Sequence, residues 1–255
     1  MWIVRLKLGC EGRISRMDGQ VTSPQSTGVW KQFGAFVRRP RLPDRATGIR
    51  VGALPPLAKL FALDLLLMAV LIGIAAGASA LGLEMPAHML DDLELTTLLL
   101  LFILVAAPLG EELLFRGWLS GRPGHVGAFV ALLAAGVGVA IASALGSAWA
   151  PLAILVAGGL VALYLLWRER GRPPMPFFQR HFRWFYLAST MAFASIHLAN
   201  FTEGNALVLL PLTLPQFLLG LILGYARVQF GLWASILLHG VHNSLFVGLI
   251  LAGAG

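Results

Sequence analysis

Long apolar blocks alternate along this chain with short polar or charged segments. Each block runs to about 20 residues, the length an α-helix needs to cross roughly 30 Å of hydrocarbon. The pattern predicts an all-α, polytopic transmembrane bundle of about seven spans. They fall at about 57–83, 95–119, 125–145, 150–167, 184–200, 206–226 and 230–252. A segment containing Gly146 and Ser147 separates the third and fourth blocks. It admits a kink or a re-entrant bend there, either of which would change the count. Glycine and alanine recur inside the blocks, as close helix packing in lipid requires.

Charge orders these blocks across a membrane. Residues 1–56 form a basic tail with ten Lys or Arg, and its RRPRLPDR stretch reads as loop. The tail is expected to be partly disordered, to lie in the cytoplasm and to meet anionic lipid. With the amino terminus inside, the inner connections carry Arg116, Arg122, Arg168, Arg170, Arg172, Arg180, Arg183 and Arg227. The outer connections carry no Lys or Arg, and the first of them is acidic, with Glu84, Asp91, Asp92 and Glu94. The expected organisation is therefore a tail over 1–56 and a transmembrane helical domain over 57–252, with the chemistry concentrated at about 95–250. The first 20 residues are too polar for a secretory signal, so the first span is expected to direct insertion.

Composition agrees with this picture and removes one alternative. Of 255 residues, 58% are hydrophobic and 12% charged, and the mean hydropathy is +0.80. A soluble domain carries about twice that charged fraction. The net charge of +7 would suggest nucleic acid in a soluble protein. Here the basic residues sit outside the apolar blocks or at their ends, so they read as topology and nucleic acid is excluded as a partner. Cys10 is the only cysteine, which rules out an intrachain disulfide and a cysteine metal site.

Polar residues inside the apolar blocks are where chemistry is expected, because an ionised side chain at membrane depth costs roughly 2.5–3.5 kcal/mol even on insertion scales. Glu111 and Glu112 interrupt the second block and Arg116 follows. Glu112 and Arg116 are spaced i,i+4 and can pair. Glu111 points about 100° away on a helix and is left to face a cavity. A Glu112–Arg116 pair that only anchors the helix is the plainer reading, and it leaves Glu111 unexplained. The fifth block carries His197, whose plainer role is an interhelical hydrogen bond. The seventh carries His239, His242 and Asn243 on one turn, which a polar seam between helices would also explain. Asp64, in the first span, is expected to cap or to snorkel to the interface, outside any site. No serine or cysteine stands beside a histidine as a nucleophile, since Ser195 points away from His197. An acid, imidazoles and an amide are the parts of a water-activating hydrolase.

The motifs resemble those of the CAAX prenyl endopeptidase and bacteriocin-processing family of intramembrane proteases, also called the Abi or CPBP family. Its EExxxR motif is matched by Glu111-Glu112-Leu113-Leu114-Phe115-Arg116, its FxxxH motif by Phe193 to His197, and its HxxxN motif by His239 to Asn243. The three occur in the family's order. The connector around Gly224-Tyr225 and Gly231 to Ser235 is also similar. The resemblance implies that Glu111 activates a water with His197 as its partner. It implies that His239 and Asn243 stabilise an oxyanion and that Glu112 and Arg116 orient them. His242 stands outside the motifs and is assigned a supporting role.

The family has been read both as metal-dependent and as metal-independent. Glu111, His197 and His239 supply three N or O ligands, a set of the kind that holds a catalytic zinc. The HExxH spacing is absent. The implied activity is endoproteolysis of a membrane-associated peptide or protein. Prenylated CAAX peptides are the substrates of eukaryotic relatives, whereas the Ala-, Leu- and Gly-rich composition points to a bacterial cell membrane. Two other readings stand beside the protease. One is a non-catalytic membrane protein on the same scaffold, acting in bacteriocin immunity or partner binding. The other is a proton-coupled transporter, which the absence of an internal repeat disfavours.

Overall fold

A computed structural model describes residues 28–84, 86–87 and 96–253, and the described residues hold helices and no strands. The MWIVRLKL segment at the start lies outside the described residues. Five helices are long and apolar enough to cross a membrane: Val51–Ala80, Thr97–Ser120, Pro123–Ala144, Ala150–Arg168 and Leu232–Gly253. They correspond to the expected first, second, third, fourth and seventh blocks.

The first of these contains α2 (Leu54–Ala80), which opens on Pro55 and Pro56, residues suited to a first helical turn that needs no N–H donor. The second is composite. It runs as α3 (Thr97–Leu101), capped by the Thr96 hydroxyl at Leu99 N, then a π-helical turn over Phe102–Ala106, then α4 (Ala107–Arg116) and a 3-10 turn over Gly117–Ser120. Helices α5 (Pro123–Ala144) and α6 (Ala150–Arg168) form a hairpin. The 146–149 segment is the turn between them, with Gly146 at φ 73°. Small residues let the two backbones meet: a Cβ added at Gly124 would lie 2.9 Å from the Leu165 carbonyl. Elsewhere the hairpin presents apolar side chains outward, such as Leu152 and Leu163, as a lipid-facing surface requires.

The expected fifth and sixth blocks form shorter, interrupted helices. A short α7 (Pro176–Arg180) leads into α8 (Phe182–Ile196), which ends in a 3-10 turn over His197–Asn200. Helix α9 (Ala206–Leu212) breaks at Thr213 before α10 (Leu214–Gln229), and α11 (Leu232–Gly253) closes the bundle. The two short helices form the centre. Every residue of α10 from Leu219 to Val228 is buried, and α10 packs on α8, α11 and α2. Gly224 permits the α8–α10 approach, since a Cβ there would meet Tyr186 Cε2 at 2.6 Å. Tyr186 in turn donates to the Leu221 carbonyl at 2.7 Å.

The basic stretch before α2 contains α1 (Val29–Arg38), an amphipathic helix that docks on this centre. Phe36 is buried edge-on against Tyr186 and Tyr225, with ring centroids 5.2 and 5.1 Å away. The segment 39–50 is irregular, as expected for the RRPRLPDR stretch, of which only Arg38 belongs to α1.

Candidate active site

Contacts link Glu111, Glu112, Arg116, Phe193, His197 and His239, whereas His242 and Asn243 meet Asp64 and the Ile103 carbonyl instead. Helix α4 supplies Glu111, Glu112 and Arg116, and α8 with its terminal turn supplies Phe193 and His197. Helix α11 supplies His239, His242 and Asn243, and α10 closes the back. Glu112 and Arg116 are both fully buried, with Arg116 Nη1 donating to Glu112 Oε1 at 2.9 Å. Their i,i+4 spacing on α4 makes this pair, and burial makes it costly to break. The guanidinium carbon lies 3.9 Å from the Phe193 ring centroid, a cation–π contact away from water. Gly220 on α10 clears the space, since a Cβ there would lie 3.3 Å from Arg116 Nη2 and 3.2 Å from Phe193 Cδ1.

His239 connects the two glutamates. Its Nδ1 lies 3.1 Å from Glu112 Oε1, and its Nε2 lies 3.7 Å from Glu111 Oε2. A carboxylate ion-paired with arginine only accepts, so the Nδ1 hydrogen points at Glu112. The ring is thereby turned so that Nε2 faces Glu111. The two acids do diverge on α4, as the helical spacing requires, yet one imidazole spans both. Glu111 remains partly open, with a quarter of its side chain exposed, while its Oε2 is buried without a hydrogen-bond partner.

The other imidazoles are fixed in the same manner. His197 Nδ1 lies 2.8 Å from the Phe193 carbonyl, which can only accept, so neutral His197 has a free lone pair on Nε2. Phe193 touches the two histidines, its ring 4.8 Å from His197 and 5.6 Å from His239 between centroids. His242 Nδ1 lies 2.7 Å from Asp64 Oδ2. Asp64 is 1% exposed, which corrects its expected role. It neither caps nor snorkels; it reaches from α2 into the bundle and meets α11. Sequence reading missed it because the pair exists only once α2 is packed on α11. An acid one-third of the way along an apolar helix was the available signal.

Asn243 has a definite partner: its Nδ2 donates to the Ile103 carbonyl at 2.9 Å. That carbonyl lies in the π-helical turn, where Ala107 N bonds Phe102 O. In this register the next donor, for Ile103 O, would be the nitrogen of residue 108, and Pro108 has no N–H. The Asn243 amide fills the gap, and its second amide hydrogen stays available. Arg227 on α10 was expected as an inner-loop charge. It is instead buried, and it bonds the Arg116 carbonyl through Nε at 2.9 Å and the Gly117 carbonyl through Nη2 at 3.2 Å. It thereby satisfies the carboxyl end of α4. Arg116 was likewise counted among loop charges and is a core residue.

The expected zinc ligands do not converge on one point. Among the described residues no three His, Cys, Asp or Glu side chains are gathered as a metal would need. The Phe193 ring packs edge-on against both His197 and His239. Glu111, His197 and His239 are not gathered around one position in this arrangement, and the chemistry assigned to them uses water alone.

The long apolar helices, enclosing buried acids and imidazoles, define an integral membrane protein. Residues 93–177 and 170–245 match the family model described as Type II CAAX prenyl endopeptidase Rce1-like, over more than half of the chain. The chain belongs to that family, which is a family of proteases, and the three motifs lie inside the matched segments. No curated protein and no solved structure matches.

Proposed function

We propose that the chain is an intramembrane endopeptidase that hydrolyses a peptide bond of a membrane-associated protein or peptide. Glu111 takes a proton from water, and the hydroxide adds to the scissile carbonyl carbon. His239, holding Nδ1–H on Glu112, donates from Nε2 to the oxyanion, and the second Asn243 amide hydrogen joins it. A donor of this kind is worth about 2.7–4 kcal/mol. Because Glu112 and Arg116 neutralise each other, a proton added to His239 is balanced by Glu111 before reaction and by the oxyanion during it. His197, with its free Nε2, accepts the water's proton from Glu111 and passes it to the leaving amine as the C–N bond breaks.

One observation carries this reading. Glu111, a quarter exposed and with no hydrogen-bond partner on its buried Oε2, lies beside an imidazole already oriented by a buried ion pair. The expected seven spans follow if α8 and the α9–α10 pair also cross. Segregation of Lys and Arg supports a cytoplasmic amino terminus. The composition supports a bacterial cell membrane, and no nucleic acid takes part.

The test uses wild type and Glu111→Ala in detergent on a quenched fluorescent peptide library, with and without chelator. Cleavage by wild type and none by the folded variant is expected. Equal behaviour of the two folded proteins would replace this reading with the non-catalytic one. Loss of wild-type cleavage in chelator would show that a metal enters the reaction and would overturn the metal-free steps above.

A further inference from the structure

A second polar site lies away from the acid–imidazole cluster. The irregular segment 39–50 meets the 3-10 turn after α4, the start of α5 and the end of α10, and a cleft of about 210 Å³ lies between them. Its polar lining is Asp44, Arg45, Ser120, Arg122, His125 and Arg227, three arginines against a single carboxylate. The cleft is a built feature. Thr47 holds the end of α10 through N and Oγ1 on the Gln229 carbonyl, at 2.8 and 3.1 Å. Asp44 is engaged by Gln179 Nε2 at 3.0 Å. Ser120 Oγ and His125 Nδ1 are 2.7 Å apart, and Arg122 N donates to Ser120 Oγ at 3.3 Å. Arg227 is 8% exposed and lines the cleft while two of its nitrogens hold carbonyls of residues 116 and 117. The amino-terminal end of α5 also opens here, with Arg122 as its N-cap, and adds the positive end of a long helix.

We propose that this cleft binds a phosphate monoanion, carried by the headgroup of an anionic phospholipid. The anion lies among Arg45, Arg122 and Arg227, each of which donates from a guanidinium, the geometry suited to phosphate. A free phosphate offers the same chemistry. The lipid is favoured by the chain just beyond the cleft, where Ile49 and Val51 are 83% and 84% exposed a few residues after Arg45. Bare apolar side chains beside cations suit the boundary between headgroups and acyl chains, and basic pockets between membrane helices take such headgroups. The proposal does not depend on peptide cleavage.

The test is direct binding to the delipidated full chain in neutral detergent, followed by native mass spectrometry. The probes are dioleoylphosphatidylglycerol, dioleoylphosphatidylcholine and inorganic phosphate. Phosphatidylglycerol is expected to be retained in preference to the other two. Arg45→Gln with Arg122→Gln removes two cations that make no side-chain bond to the fold, and is expected to weaken phosphatidylglycerol roughly thirty-fold. Arg168→Gln with Arg170→Gln removes equal charge at the end of α6 and is expected to change little. Unchanged lipid retention in the folded Arg45/Arg122 variant would overturn the proposal, as would equal losses in the two double variants. Inorganic phosphate that binds as tightly and displaces phosphatidylglycerol would transfer the site to a soluble phosphate.

Discussion

His239 presents Nδ1 to Glu112 Oε1 at 3.1 Å, and that one bond decides what the other side of the ring can do. Glu112 is held as a carboxylate by Arg116, so it accepts, and His239 Nε2 is left facing Glu111. Glu112→Gln should therefore act twice. The amide no longer neutralises Arg116, and loss of one partner from a buried ion pair costs about 3–5 kcal/mol. The amide also no longer fixes the Nδ1–H tautomer. Thermal unfolding should drop clearly and cleavage should fall with it. A variant as stable as wild type would contradict the ion-pair account.

Glu111→Gln should separate the two effects. Glu111 Oε2 is buried with no hydrogen-bond partner, so a neutral amide removes a desolvated charge and breaks no hydrogen bond there. Unfolding temperature should stay level or rise, while turnover falls by about 10²-fold or more if this acid is the base. The informative failure is a variant that loses stability and activity together, because Glu111 would then be a structural group.

Asp64 and His242 should be energetically coupled, although they belong to helices far apart in sequence. Their 2.7 Å contact lies among apolar side chains, and Asp64 Oδ1 has no hydrogen-bond partner. Asp64→Asn and His242→Gln should each destabilise the protein, and the double variant should cost less than their sum. A coupling of about 0.5–3 kcal/mol is expected for groups in contact. Strict additivity in a double-mutant cycle would show that the contact does not contribute.

The helices and the chemistry were legible in different degrees. Five long blocks were readable because hydrocarbon demands a run of about 20 apolar residues, and α2, the composite α3–α4 span, α5, α6 and α11 supply such runs. Glu111, Glu112, His197 and His239 stood out because ionisable groups are costly inside apolar blocks. Partners were harder to read. Asp64 looked like an interfacial residue because nothing local says that α2 faces His242. Arg116 and Arg227 looked like loop charges because hydropathy records the end of a helix and not its burial. Two local signals were present. Val29, Phe33, Phe36 and Val37 share one helical face, the mark of α1. Pro108, just before Glu111, marks a break in the helix that carries the site.

That break yields a last prediction. Pro108 cannot donate to Ile103 O in the π register, and the Asn243 amide takes its place at 2.9 Å. Asn243→Ala should leave a carbonyl unpaired in an apolar setting, at about 1–3 kcal/mol. Restoring a backbone N–H by Pro108→Ala should make the protein less dependent on Asn243. The destabilisation from Asn243→Ala, measured by thermal unfolding, should then be smaller in the Pro108→Ala background than in wild type. Cleavage should not recover, because the amide hydrogen assigned to the oxyanion is still missing. An equal cost in both backgrounds would sink the link between Pro108 and Asn243. Full activity of the double variant would remove Asn243 from the oxyanion site and leave it as the donor that repairs the helix.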